Sequence, residues 1–117
     1  MSWNDYCNMP SASVAALCGL DAKNTVWGKK GDFKASEQEL AKMVKAGPGT
    51  MCSYCGEKIM IVKEVEGGSW FGASQKNCIV IKKLKKCALI GICSKDAKDK
   101  LIADVIKFSA PLAQGGY

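Results

Sequence analysis

The spacing of apolar residues changes period several times along this chain. Trp3 and Tyr6 stand three positions apart, on one face of a short helix that Ser2 would cap, with Asp5 at the capping-box position and Pro10 as the stop. VAALCGLD, residues 14–21, is a small-residue apolar run that reads as a buried strand. DAKN then turns the chain into TVWG, a second short strand carrying Trp27, so the two form a hairpin. Ser36 and Glu39 make a capping box ahead of Leu40, Met43 and Val44 at helical spacing, and GPG at 47–49 ends that helix. From Thr50 onward the period is two. TMCSY and KIMIVKEV pair around Gly56; SWFGA, CIVIKK and CALIGIC follow, separated by EGG, SQKN and LKK. CALIGIC is almost continuously apolar, which suits a central strand. Ser94 is the expected cap of a last helix with Asp96 in its first turn. Its apolar stripe is Leu101, Ile102, Val105 and Phe108 or Ser109, and Pro111 should kink or end it.

The order is helix, two strands, helix, several antiparallel strands, helix. This predicts one α+β domain over residues 1–117, built on a single mostly antiparallel sheet. A hydrophobic fraction of 48% is enough for one real core in a chain of this size. No apolar run reaches the roughly 20 residues of a membrane span, and the start, at a methionine, lacks the pattern of a signal peptide. The expectation is a complete cytosolic protein, in which seven cysteines are thiols rather than a disulfide framework.

Charge and chemistry narrow the function. All 17 basic residues are lysine and the net charge is +6. Without arginine, sequence-specific DNA reading is disfavoured, whereas acidic protein surfaces and anionic lipid remain suitable partners. KKLKK, residues 82–86, straddles a turn, and Lys95, Lys98, Lys100 and Lys107 decorate the last helix. These are solvated faces or an electrostatic docking surface. Histidine is absent, and no phosphate loop or nucleophile motif is present, so nothing supports catalysis. Cys52 and Cys55 form a C-x-x-C that lies in a strand and its turn. Structural thiols are the favoured reading over a zinc or redox pair. Trp3, Tyr6, Trp27 and Tyr117 either pack singly in the core or, if the terminal helices lie side by side, meet as an exposed cluster suited to polyproline II ligands.

The chain resembles the profilin family along essentially its whole length. The resemblance is carried by S-W-N-D-Y at the start and by V-A-A-L-C-G-L-D-A-K-N-T-V-W-G. It continues through the hairpin C-G-E-K-I-M-I-V-K, the strands I-V-I-K-K and C-A-L-I-G-I-C, and the terminal Q-G-G-Y. It implies a profilin-like central antiparallel sheet with the N- and C-terminal helices packed on one face and other helices on the opposite face. It also implies a non-enzymatic cytoplasmic and cytoskeletal protein that acts as a monomer without a cofactor. Its implied partners are monomeric actin, proline-rich proteins and phosphatidylinositol bisphosphate. The proline site it implies is Trp3, Tyr6, Trp27 and Tyr117; the actin face is Lys58, Ile61, Val62 and Lys63, with Lys98 and Lys100 at the last helix. A further family aromatic within the last helix falls here at Ala110, Pro111 or Leu112, so proline binding is expected to be retained but weaker. Phe71, Ala73 and Ser74 stand where many relatives are basic, with Lys76 beside them, which bears on actin and lipid strength. The alternative is a basic adaptor that binds anionic lipid or nucleic acid non-specifically.

Overall fold

The computed structural model describes residues 3–20, 24–45, 47, 49–65 and 69–117. The proposed cap Ser2, most of the DAKN turn, Pro48 and the EGG turn lie outside them. The chain opens on a 3₁₀ helix, Trp3–Cys7, and then forms β1 (Val14–Gly19) and β2 (Val26–Lys30). Helix α1 (Glu37–Val44) precedes β3 (Met51–Tyr54), β4 (Glu57–Val65), β5 (Ser69–Ala73), β6 (Asn77–Lys83) and β7 (Cys87–Ser94). A 3₁₀ turn, Lys95–Ala97, leads into α2, Lys98–Gln114.

All seven strands form one antiparallel sheet in the order β2-β1-β7-β6-β5-β4-β3. β7, the CALIGIC strand, is interior and buried along all but its last residue. Period-two alternation divides the apolar side chains between two faces. On one, Leu40, Met43 and Val44 of α1 cover Ile59, Ile61, Ile79 and Ile81. On the other, the N-terminal 3₁₀ helix and α2 together cover Leu17, Val80 and Leu89, so the two termini share a face as expected.

Local chemistry explains the helix ends. Ser36 Oγ accepts the Glu39 N–H at 3.1 Å, and Glu39 Oε1 accepts the Ser36 N–H at 3.0 Å, completing the capping box. Ser94, by contrast, makes no side-chain cap bond, because a tighter 3₁₀ turn intervenes before α2 starts at Lys98. Pro111 does not end the helix, which runs on to Gln114. Proline removes one donor, but the following turn keeps its own bonds and Leu112 is buried against the sheet. The buried stripe of α2 is Leu101, Val105, Ser109 and Leu112, with Ile102 and Phe108 half-buried beside it.

The helix then closes with a Schellman arrangement. The Tyr117 N–H donates to the Leu112 carbonyl at 3.0 Å and the Gly116 N–H to the Ala113 carbonyl at 3.1 Å. Gly116 has φ +87°, a conformation glycine reaches at little cost, and it reverses the chain so that Tyr117 returns towards the sheet.

Candidate functional site

Four rings meet where the termini join β2. Trp3 lies 5.9 Å from Tyr6, 5.1 Å from Trp27 and 5.1 Å from Tyr117, centroid to centroid; Trp27 lies 6.3 Å from Tyr117. Tilted and edge-on pairs of this kind contribute about 0.5–1.5 kcal/mol each beyond their buried area. Trp3, Tyr6 and Trp27 are half-buried and Tyr117 is exposed, so the rings present faces to solvent while their other sides pack on the core. Every residue of the expected aromatic site is therefore in one cluster.

Three features put Trp3 at its centre. Asn4 Oδ1 accepts the Lys29 N–H at 2.9 Å, fastening the 3₁₀ helix to β2. Gly28 lets the two backbones touch: a Cβ there would lie 2.6 Å from the carbonyl carbon of Trp3. Cys7 is fully buried beneath, its thiol pushed up to about 12 by burial, so it acts as an apolar plug. Trp27 is aimed by a bulge. Leu17 pairs with Gly28 and Cys18 with Val26, leaving Trp27 as the extra residue and bringing it to the face of the terminal helices.

Beside the rings, Asp5, Tyr6, Lys107, Phe108 and Pro111 line a groove of about 220 Å³. Pro111 and Phe108 thus supply an apolar wall where the family's helix aromatic was expected. A further attachment of the N-terminal segment is Asp104 of α2, which accepts from Ser11 N–H at 3.0 Å and Ser11 Oγ at 2.5 Å.

The residues expected to form the second surface are only partly assembled. Lys63 and Lys98 meet across a cleft of about 430 Å³, lined also by Glu64, Val65, Asp99, Ile102 and Ala103. Lys98 Nζ sits 5.0 Å from the centre of the Phe71 ring. Val62 is 55% exposed, and Met51 and Met60, which pair across β3 and β4, are exposed near it. Ile61 is different. It is 1% exposed and packs under α1, because it still obeys the inward alternation of Ile59. As a contact residue it is corrected to a core residue. Lys58 lines a separate depression with Lys42, Met51 and Gly56, and Lys100 another with Pro10, Ser11 and Asp104. A second bulge explains the division. Ile61 pairs with Gly72 and Lys63 with Phe71, so Val62 is the extra residue and Lys63 is thrown onto the α2 face.

The cysteines do not make a metal site among the described residues, where no three His, Cys, Asp or Glu groups gather. Cys52 is buried while Cys55 is exposed in the β3–β4 turn, so the C-x-x-C residues have different surroundings. Burial raises the thiols of Cys52 and Cys87 to about 11 and that of Cys93 to about 12, away from reactive thiolate character.

A seven-stranded antiparallel sheet with both termini on one face, and a ring cluster where they meet, defines a small binding module. The profilin family model matches residues 1–117, and the chain belongs to the profilin family. Its fold is similar to that of Acanthamoeba castellanii profilin IA, with TM-score 0.78 and 16% identity over 99% of this chain and 100% of that one. Schizosaccharomyces pombe profilin is similar at TM-score 0.70 and 26% identity, over 97% and 94% of the two chains. Mouse profilin IIa in complex with a double repeat from the FH1 domain of mDia1 gives TM-score 0.77 and 16% identity, over 100% of both. No curated protein matches the chain.

Proposed function

We propose that this protein binds actin monomers and regulates their polymerisation, while capturing proline-rich segments on its aromatic surface. The observation that carries the reading is the joining of Trp3, Tyr6, Trp27 and Tyr117 into one half-exposed cluster. Polyproline II segments are extended, carry unpaired carbonyls and lose little entropy on binding, so flat rings with Tyr and Trp donors suit them. The mouse relative in complex with an FH1 double repeat supports a peptide ligand for this fold.

Actin binding is assigned to the opposite end of the sheet face, where Lys63 lines the cleft with Lys98 and its neighbour Val62 is exposed. Lysines there suit an acidic partner, and Met60 and Val62 add apolar area at the centre of the contact. The two surfaces lie on one sheet, so a bound proline-rich partner would hold actin at a high effective concentration. The protein acts by binding rather than catalysis, in the cytoplasm and at the cytoskeleton. No described helix is long and apolar enough to cross a membrane. Phosphatidylinositol bisphosphate would draw on the same lysines by charge.

Titration with decaproline while following tryptophan fluorescence tests the reading. A saturable change is expected, abolished by Trp3→Ala, with actin-monomer binding kept near wild type. No change at millimolar peptide would remove the proline assignment; loss of actin binding in the same variant would make Trp3 a structural residue only.

A further inference from the structure

The lysine-rich β6–β7 turn is not used by either surface described above. It is nevertheless joined to the ring cluster. The Lys86 N–H donates to the main-chain oxygen of Tyr117, and the Lys86 carbonyl accepts the Leu20 N–H at 2.9 Å. Tyr117 in turn stands edge-on to Trp3 at 5.1 Å. The turn is tight, with the Leu84 N–H donating to the Cys87 carbonyl at 2.7 Å, so Lys85 and Lys86 are held at its tip, and both are exposed. Leu84 packs into the same core cluster as Trp3 and Trp27, which fixes the tip relative to the rings.

The side-chain charge here is one-signed. Residues 79–95 contain no Asp or Glu. Among the described residues, no side-chain carboxylate forms an ion pair with Lys85 or Lys86. An exposed pair of ammonium groups beside the ring cluster, with no side-chain carboxylate paired to it, is a fixed electrostatic mark on one end of any ligand lying there.

We propose that the preferred ligands of this protein are proline-rich segments with a run of acidic residues on one flank. The prolines lie on Trp3, Tyr6, Trp27 and Tyr117, and the acidic run reaches Lys85 and Lys86. This rests on the proline-binding reading above and extends it to the partner's class. The reach is short: a polyproline II chain advances about 3.1 Å per residue, so a few residues lead from the Tyr117 ring to the turn. The charges then lie within the Debye length of about 8 Å at physiological salt, where attraction survives screening. The acidic run also gives direction to a ligand whose proline part reads nearly alike both ways.

The test compares decaproline with decaproline carrying four glutamates at either end, and with four glutamates on a glycine–serine decamer. Tryptophan fluorescence reports the first two peptides, and anisotropy of labelled peptides reports all of them. At low salt, glutamates on one end should tighten binding by roughly three- to tenfold, and the gain should shrink as salt rises. The double variant Lys85→Glu, Lys86→Glu should lose that gain yet keep the plain decaproline response, which also shows that it is folded. Equal affinity of flanked and plain peptides, or a gain that survives charge reversal, would overturn the proposal. So would comparable binding of the glycine–serine peptide, which would make the turn a general anion site. If the variant lost binding to phosphatidylinositol bisphosphate vesicles and no peptide gain existed, the turn would belong to membrane contact instead. Failure of plain decaproline to bind is a separate result: it removes the proline-binding reading, and this proposal with it.

Discussion

The two surfaces of this protein are built differently. The aromatic surface is assembled from three remote pieces of chain, each locked: Trp3 by the Gly28 contact, Trp27 by a bulge and Tyr117 by the Schellman turn. The cleft between β4 and α2 is lined by long charged side chains, Lys63 and Lys98, near the edge of the sheet. The first surface depends on backbone geometry and apolar packing; the second depends on charge and on side chains that pay entropy when they engage a partner. The lesson is that the aromatic surface should fail abruptly when its backbone is disturbed, while the lysine surface should weaken in increments and respond to salt.

The largest effect should come from Gly28→Ala. The added Cβ would stand 2.6 Å and 2.7 Å from the carbonyl carbon and oxygen of Trp3, and 2.8 Å from the Asn4 nitrogen. These are backbone atoms, so the 3₁₀ helix must move as a unit and carry Trp3 away from Trp27 and Tyr117. Overpacking of this kind costs about 1–3 kcal/mol. The decaproline response should fall by at least about tenfold, and the tryptophan emission of the unliganded protein should change. Actin-monomer binding should persist. A titration curve indistinguishable from wild type would show that the Gly28 contact does not hold the cluster.

How far the sequence reveals this contrast depends on the element. The strands are legible because residues such as Ile59 and Ile61 alternate with exposed neighbours, and the α1 start is legible because Ser36 and Glu39 are both present. The interior place of β7 follows from its unbroken apolar run. Both bulges escape this logic. A one-residue offset is fixed by the partner strand, so alternation alone would bury Lys63 with Ile61 and turn Trp27 from the rings. Likewise, Gly-Gly announces the end of α2, but not that its Schellman bonds send Tyr117 back to Trp3. Pro111 is misleading for a related reason: its local penalty is outweighed by the burial of Leu112 and by the bonds of the turn after it. The resemblance to profilins supplies the grouping of the rings; the structure supplies the devices that hold them.

A smaller effect is expected on the other surface. Lys63→Glu places a negative charge opposite Lys98 in the cleft and removes one cation from the proposed actin contact. Because these groups face water, actin-monomer affinity should fall by roughly three- to tenfold, with most of the change in the association rate and in the salt dependence. Pyrene–actin polymerisation in increasing salt measures it, and decaproline binding should not change. If sequestration were as strong as wild type at every salt concentration, Lys63 would have no place in the actin face, and the cleft would lose its assignment.

The smallest effect concerns acid and the strands that carry this cleft. Partial burial of the Glu39 carboxyl pushes its pKa up, but hydrogen bonds from the Ser36 and Gly56 N–H groups, the Ser53 hydroxyl and the Cys55 N–H outweigh it and leave it below the ordinary value. The Gly56 N–H and Ser53 Oγ reach Glu39 at 3.2 Å and 3.1 Å, strapping the β3–β4 turn to α1. A carboxylate whose folded pKa is depressed stabilises the fold above its unfolded value, about 4.3, and loses that contribution as pH falls through the folded value. Glu39→Gln should therefore lower the melting temperature modestly at pH 7, and the gap from wild type should close as pH drops below about 4. Protection of the Cys55 and Gly56 amides should fall with it, while tryptophan emission, set by the apolar ring cluster, should hold. A melting gap constant from pH 7 to pH 3 would mean that the Glu39 charge does not secure the turn. It would also break the contrast, because the edge of the sheet would then be held, like the ring cluster, without help from ionised groups.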